Sequence, residues 1–239
     1  MKKKRRSLFL LSSLISIFII LGFVSAVTGP DSVSVITNET KGANSAYELN
    51  ISGGYISTIN ITSTTQNTRW KSFVGNITGS FTLDDSSGST IYDWSLTNVA
   101  GEVYATTNSS TITWSNLTCA STSNLESENV KMNHTNSDDN ITATFNDNTH
   151  SAFYVASVSI TANSCPTLNT YVNDASQDTS FEEVALYEAL GGNIIYSTIL
   201  EQDTTGFDGN SYDFQMIIPE NGDPGFTGLT TYYLYVELN

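Results

Sequence analysis

Apolar residues recur at every second position over much of this chain, and beyond residue 26 they nowhere hold the spacing of a convincing amphipathic helix. Alternation of that kind turns one face of an extended segment toward a core and the other toward water. It predicts strands over 33–36, 46–52, 55–62, 70–83, 90–96, 101–107 and 111–114. Further strands are predicted over 141–146, 152–161, 182–189, 194–200, 211–218 and 231–238. Turn-forming residues fall between them, at Asp84-Asp85-Ser86-Ser87-Gly88-Ser89, Gly191-Gly192-Asn193 and Asn221-Gly222-Asp223-Pro224-Gly225. Short strands at this spacing predict an all-β fold, an antiparallel β-sandwich built as one large or two small packed β-domains.

Two stretches break the rhythm. Residues 115–140, containing SNLESENVKMN, read either as one short helix or as a long surface loop, and 165–180, rich in Asn, Asp and Thr, is the best candidate boundary. The division that follows is a sequon-rich N-terminal β-sandwich over 27–164 and a C-terminal acidic β unit over 165–239. That second unit carries four strands, which either complete the first sandwich or stand as a small unit of their own.

Ahead of all this lies a different pattern. Lys2, Lys3, Lys4, Arg5 and Arg6 precede the apolar run SLFLLSSLISIFIILGFVSA, the arrangement of a positive n-region followed by an h-region. Val24-Ser25-Ala26 has the small residues that a signal peptidase needs, so residues 1–26 read as a signal peptide cut after Ala26. The run is also long enough for an uncleaved membrane anchor. A pilin-type leader cut after Arg6 ranks lowest, because the early acidic residue of such helices is missing. Each reading keeps the basic end inside and sends residues 27–239 out, to the cell surface or the medium.

The charge changes the picture further. Without the first 26 residues, four basic residues face 24 acidic ones, a formal charge of −20, and no Lys or Arg follows Lys131. A polyanion of this kind is disfavoured as a nucleic-acid binder. Export also sets the redox environment, so Cys119 and Cys165 are expected to form a disulfide.

Eight Asn-x-Ser/Thr sequons occur, at Asn38, Asn50, Asn60, Asn76, Asn108, Asn116, Asn133 and Asn140, all before residue 143. Four of them read Asn-Ile-Ser/Thr within predicted strands, which puts the Asn on the face opposite the Ile. Two readings stand beside each other: glycans shielding the first part of an exported protein, or a merely solvated strand face rich in Asn and Thr.

Catalytic signatures are missing. The chain has no HExxH, P-loop, GxGxxG or GxSxG pattern. His134 and His150 lie in polar segments and read as exposed loop residues. Glu182 and Glu183 are neighbours on a predicted strand, so they point to opposite faces and cannot act together as a carboxylate pair. The most defensible cofactor is calcium: Asp203, Asp208, Asn210 and Asp213 supply oxygen ligands in one turn-rich loop around Gly209, without EF-hand spacing. Asp84 with Asp85, and Asp138 with Asp139, are weaker candidates, and an acidic turn without a specific ion is the competing reading.

Trp70, Trp94 and Trp114 sit in or at the end of strand patterns and are expected in the core, although aromatic platforms for carbohydrate are an alternative. In the last strand, Tyr233 and Tyr235 share a face that reads as an aromatic stripe or a subunit contact. Residues 27–37 alternate as well, and would form a free arm able to add to a neighbouring subunit's sheet, or simply the first strand of their own domain.

The blocks WKSFVGNITGSFTLDDSSGSTIYDWSL, GEVYATTNSS and TITWSNLTC, with GFDGNSYDFQMIIPENG and the closing YYLYVELN, resemble uncharacterised secreted β-rich cell-surface proteins of archaea. That resemblance implies a surface location and carries no activity or functional residue. The expectation is therefore a non-enzymatic secreted or cell-surface structural or adhesion glycoprotein, such as a surface-layer or filament subunit. Its partners would be itself, other surface proteins or surface glycans, with the membrane only through residues 7–26. The alternatives are an extracellular carbohydrate-binding module and, behind it, a secreted hydrolase.

Overall fold

The computed structural model describes residues 27–135 and 138–239. The protein is mostly β, and every strand pair is antiparallel. Its principal sheet runs in the order β14 (Tyr233–Leu238), β4 (Gly101–Thr106), β10 (Asn193–Ile199), β9 (Glu182–Glu188) and β5 (Leu117–Cys119). β8 (Thr167–Asn169) pairs with the first half of β9, leaving the second half to β5. Strands from before and after Cys165 are thus hydrogen-bonded neighbours in one sheet.

The central strands GEVYAT, EEVALYE and NIIYSTI turn apolar residues to both faces, with Glu102, Glu182, Glu183 and Glu188 among them, and nearly all of their residues are buried. One face packs Val103, Ala105, Ala185 and Tyr196 against Met216 and Ile218 of β13 (Phe214–Pro219), which pairs with β1 (Trp70–Gly75). The other face packs Tyr104, Val184, Leu186 and Ile195 against the hairpin of β6 (Phe153–Val155) and β7 (Val158–Ile160). Two smaller antiparallel pairs complete the strands: β2 (Ser80–Asp84) with β3 (Thr90–Ser95), and β11 (Thr204–Thr205) with β12 (Ser211–Tyr212).

The stretch that interrupts the alternation holds the helix α1 (Thr122–Lys131). Ser121 caps it: its hydroxyl accepts from the Asn124 N–H, and the Asn124 side chain accepts from the Ser121 N–H. Leu125, Glu128, Asn129 and Met132 form its buried stripe. The predicted strand over 141–146 is instead a helical turn, α2 (Ile141–Thr144). Asn140 decides this, because its side-chain oxygen caps the Ala143 N–H at 2.8 Å.

Other predicted strands are corrected in length. The run 70–83 divides into β1 and β2 because the chain must pass Leu238 closely at Gly79, where a Cβ would lie 2.4 Å from a Leu238 methyl. Residues 152–161 form the β6–β7 hairpin, turning at Ala156 with φ 50°. The run 211–218 divides at Asp213, and 111–114 forms no strand, leading instead into a 3-10 turn at Trp114–Asn116. Strands 33–36, 46–52 and 55–62 do not form at all. Among the described residues, nothing supplies them with a ladder partner.

Residues 27 and 28 do not form a free arm. Val27 is buried, and Thr28 exchanges both backbone bonds with Val236 on the outer edge of β14. Continuing that register would set Pro30 across from Leu234, and proline has no N–H to donate, so pairing stops. Residues 7–26, with the signal or anchor reading, lie outside the described residues; among those described, no helix is long and apolar enough to cross a membrane.

Cys119 and Cys165 are bonded, joining β5 to the residues just before β8 across 46 positions of sequence. Replacing both by Ser should lower the free energy of unfolding by about 4 kcal/mol, the chain-entropy value for a loop of this length. Denaturant titration of oxidised wild type against the double variant checks it, and equal midpoints would contradict it.

Candidate interaction surface

Between its bridge to β14 and the start of β1, the chain leaves the body. Every residue from 31 to 68 is exposed and none belongs to a strand. A structureless connection this long is uncommon in a compact domain and generally has a function of its own. Its two legs meet at a turn at Gly53-Gly54, where Gly54 takes φ 87°. Lys41 Nζ donates to Thr64 Oγ1 from one leg to the other. Asn67 and Arg69 both bind Asp139, which fixes the far end to the body.

The legs keep the one-sided pattern that predicted strands there. Tyr47, Leu49 and Ile51 alternate with Glu48, Asn50 and Ser52, and Ile59 and Ile61 alternate with Thr58, Asn60 and Thr62. In a protein that folds, such residues are normally covered. Here Tyr47 is 91% exposed and Ile61 81%.

The β2–β3 hairpin repeats the situation in folded form. The cross-strand pairs Phe81↔Trp94 and Leu83↔Tyr92 place four apolar side chains on one face, while Ser80, Thr82, Asp93 and Ser95 occupy the other. All of its strand residues are exposed, Trp94 by 51%. The Tyr92 and Trp94 rings meet edge to face at 4.8 Å. Trp94 therefore corrects the expectation of a core tryptophan: among the described residues, no second layer covers its strand. The hairpin is nonetheless well made. Asp85 Oδ1 accepts from the Ser87 N–H, Ser87 hydroxyl and Ser89 N–H around Gly88, bonds that hold its carboxyl below the ordinary range. Its base is fixed where the Asp213 carboxylate accepts from the Ile77 N–H at 2.7 Å.

Chemistry-bearing groups lie elsewhere, inside. Glu102 and Glu237 are cross-strand partners on β4 and β14, and both are buried. The Tyr104 hydroxyl donates to Glu237 at 3.1 Å, and the Ala156 N–H donates to both of its oxygens. Burial first, and the neighbouring Glu237 charge second, push the Glu102 carboxyl up to about 8. Glu183, fully buried, is raised by desolvation and accepts from the Ile217 N–H. Glu182 on the opposite face accepts from the Ser151 N–H, so the neighbouring carboxylates do point apart, as the strand period requires. Shifted groups of this kind are candidates for catalysis when they line a cleft; these are sealed in the core and support backbone.

Comparison with known protein families, with curated proteins and with solved structures finds no match to this chain.

The remaining sequence candidates are dispersed. Asp213 is buried, its two oxygens accepting from Ile77 and Asp203 N–H groups, whereas Asp208 faces outward and holds Asn210 and Tyr212. Among the described residues, no group of three or more His, Cys, Asp or Glu side chains converges as a metal site. Of the sequon residues, Asn38, Asn50, Asn60, Asn76, Asn116 and Asn133 are exposed, the first three on the 31–68 excursion. Asn108 and Asn140 are half-buried, their side chains accepting from Ser110 and Ala143 N–H groups.

The histidines correct their expectation, since both are buried. His134 binds the Glu220 carbonyl and packs edge-on against Trp70. His150 Nε2 accepts from the Ser164 and Cys165 N–H groups, so its Nδ1 carries the hydrogen donated to the Ser151 carbonyl. Trp70 and Trp114 are half-buried, Trp114 between Tyr104 and Tyr235. Tyr235 is thereby taken into the core and Tyr233 left partly exposed. A shallow polar cleft of about 380 Å³ lies between Asn108, Thr111, Glu188 and Asn193, with no aromatic ring in its lining.

The raised Glu102 carboxyl sets a pH dependence. Between its ordinary value of 4.5 and about 8 the folded chain holds a proton that the unfolded chain has lost. Stability should therefore fall as pH rises through that window and level off above it. Glu102→Gln should remove this part of the slope and exceed wild type in stability at pH above 8. Thermal unfolding of both proteins across that range checks the sign, and parallel profiles would contradict it.

Proposed function

We propose that this protein is a non-enzymatic, extracytoplasmic structural or adhesion glycoprotein, an antiparallel β-sandwich that works by presenting strand-forming surface. The observation that carries this reading is the pair of uncovered one-sided surfaces, the 31–68 excursion and the β2–β3 hairpin. They stand on a body whose own central strands are buried on both faces. Monomeric proteins rarely leave such patches open without an interaction to make.

Further features support it. The buried carboxyls with raised values, Glu102, Glu128 and Glu183, sit in the core rather than in a cleft, which favours a surface role over turnover. The packing of β13 over β10, with the Thr198 hydroxyl donating to the Gln215 carbonyl at 3.0 Å, supports two layers. Export rests on the basic and apolar pattern of residues 2–26 and on the charge of −20 that remains beyond it. Glycans on Asn50 and Asn60 would occupy the polar faces of the excursion's legs and leave the apolar faces free. The resemblance to archaeal surface proteins points the same way.

A second reading has one specific observation behind it. Tyr92 and Trp94 are adjacent, exposed rings of the kind that stack on sugars, which favours an extracellular carbohydrate-binding module.

Negative-stain imaging of the purified protein, with and without a calcium chelator, tests the proposal. Filaments, lattices or discrete oligomers are expected, and their loss on chelation would assign a divalent cation a role in assembly. Monomers under both conditions would overturn the structural reading. Saturable glycan binding by those monomers, abolished by Trp94→Ala, would establish the second.

A further inference from the structure

Resting on that reading, we infer that the occupant of the uncovered surface is a second copy of this chain. The legs of one copy's 31–68 excursion add as strands to the open edges of another copy's β2–β3 hairpin, with their apolar residues on the same side of the enlarged sheet as Phe81, Leu83, Tyr92 and Trp94.

The hairpin has two open edges and one open face. A two-stranded sheet in water is marginal, and gains independent stability when a third strand or a covering layer is added. Among the described residues, neither outer edge of β2 or β3 is paired, because the two strands form a sheet by themselves. The face made by Phe81, Leu83, Tyr92 and Trp94 has no layer over it among those residues.

The excursion has what the hairpin lacks. Residues 46–52 and 55–62 are strand-length segments, comparable with the five residues of β2 and six of β3. Each has its main apolar residues at alternate positions and its polar residues between them, so a leg laid on an open edge continues both faces of the hairpin. Ile36 and Ile56, 93% and 100% exposed, are further residues with nothing over them.

Charge selects the partner. A molecule at −20 attracts cationic partners over its whole surface, yet the strand-length segments 46–52 and 55–62 carry one charge between them, Glu48, and the apolar face of the hairpin carries none. Three of the four basic residues beyond residue 26 are held in ion pairs with Asp139, Glu220 and Glu128, and Lys41 joins the two legs. What the surface recognises is a neutral, unpaired, one-sided strand. This chain supplies that ligand itself, in a segment that its own body leaves uncovered. The contact joins two different regions, so it either closes reciprocally as a dimer or propagates as a chain of subunits.

The test uses two single-cysteine variants of the full chain, Ile51→Cys and Leu83→Cys, with the native disulfide intact. Mixed under mild oxidation, they should give a disulfide between positions 51 and 83, identified by peptide mapping, since 51–51 and 83–83 links would double the mass as well. The double variant Leu49→Asp with Ile59→Asp should weaken self-association at least tenfold by sedimentation. It should also leave the thermal midpoint of the body unchanged, because both residues are exposed. Assembly that persists in the Asp variant, with no disulfide between positions 51 and 83 in the mixture, would overturn this pairing and leave the structural reading standing. A chain carrying both new cysteines that links only within itself would show the excursion closing on its own hairpin, and would also overturn the inference. Wild type that never associates would overturn both.

Discussion

A β-strand persists only where its backbone edges find hydrogen-bonding partners and at least one of its faces is kept from water. The centre of this protein meets that requirement twice over. β4, β10 and β9 are paired on both edges and covered on both faces, one by β1, β13 and α1, the other by the β6–β7 hairpin. The layers are then joined by buried carboxylates rather than by further ladders. Glu183 reaches from β9 to the Ile217 N–H, Glu237 from β14 to the Ala156 N–H, and Glu182 from β9 to the Ser151 N–H. Each gives a backbone N–H at the boundary between layers a carboxylate acceptor.

This use of acidic residues makes sense of a composition that first suggests only solubility. The acids divide into two populations. Some stay in water and keep the molecule strongly negative. Others are buried at layer boundaries, where desolvation raises Glu102, Glu128 and Glu183 above the ordinary carboxyl range. Glu102, raised to about 8, stays protonated near neutrality and adds no net charge to an already repulsive molecule, which lowers the electrostatic cost of placing it there.

At the periphery the same requirement goes unmet. The 31–68 excursion and the β2–β3 hairpin have the alternation of strands and, among the described residues, are left with unpaired edges or uncovered faces. Proline at position 30 stops the chain from zipping along β14, and the Asp139 contacts with Asn67 and Arg69 receive it again at β1. The body is thereby complete without the excursion, and the excursion is tethered at both ends while its own faces stay open.

Much of the body was legible from alternation alone: β3, β4, β9, β10 and β14 lie where periodicity puts them, because each keeps apolar residues at every second position. The disulfide followed from having two cysteines in a chain whose first residues read as an export signal. Three kinds of feature were not legible. Local side-chain capping by Asn140 turned an ambiguous Ile-Thr-Ala-Thr run into a helical turn. The burial of His134 and His150 depends on carbonyl and N–H groups remote in sequence, so no neighbouring residue signals it. Most consequentially, strand pattern at 33–36, 46–52, 55–62 and in the β2–β3 hairpin is the same whether or not a partner exists. Periodicity records which face a segment would bury; only the tertiary structure decides whether this chain supplies something to bury it against, because pairing and coverage are properties of distant neighbours.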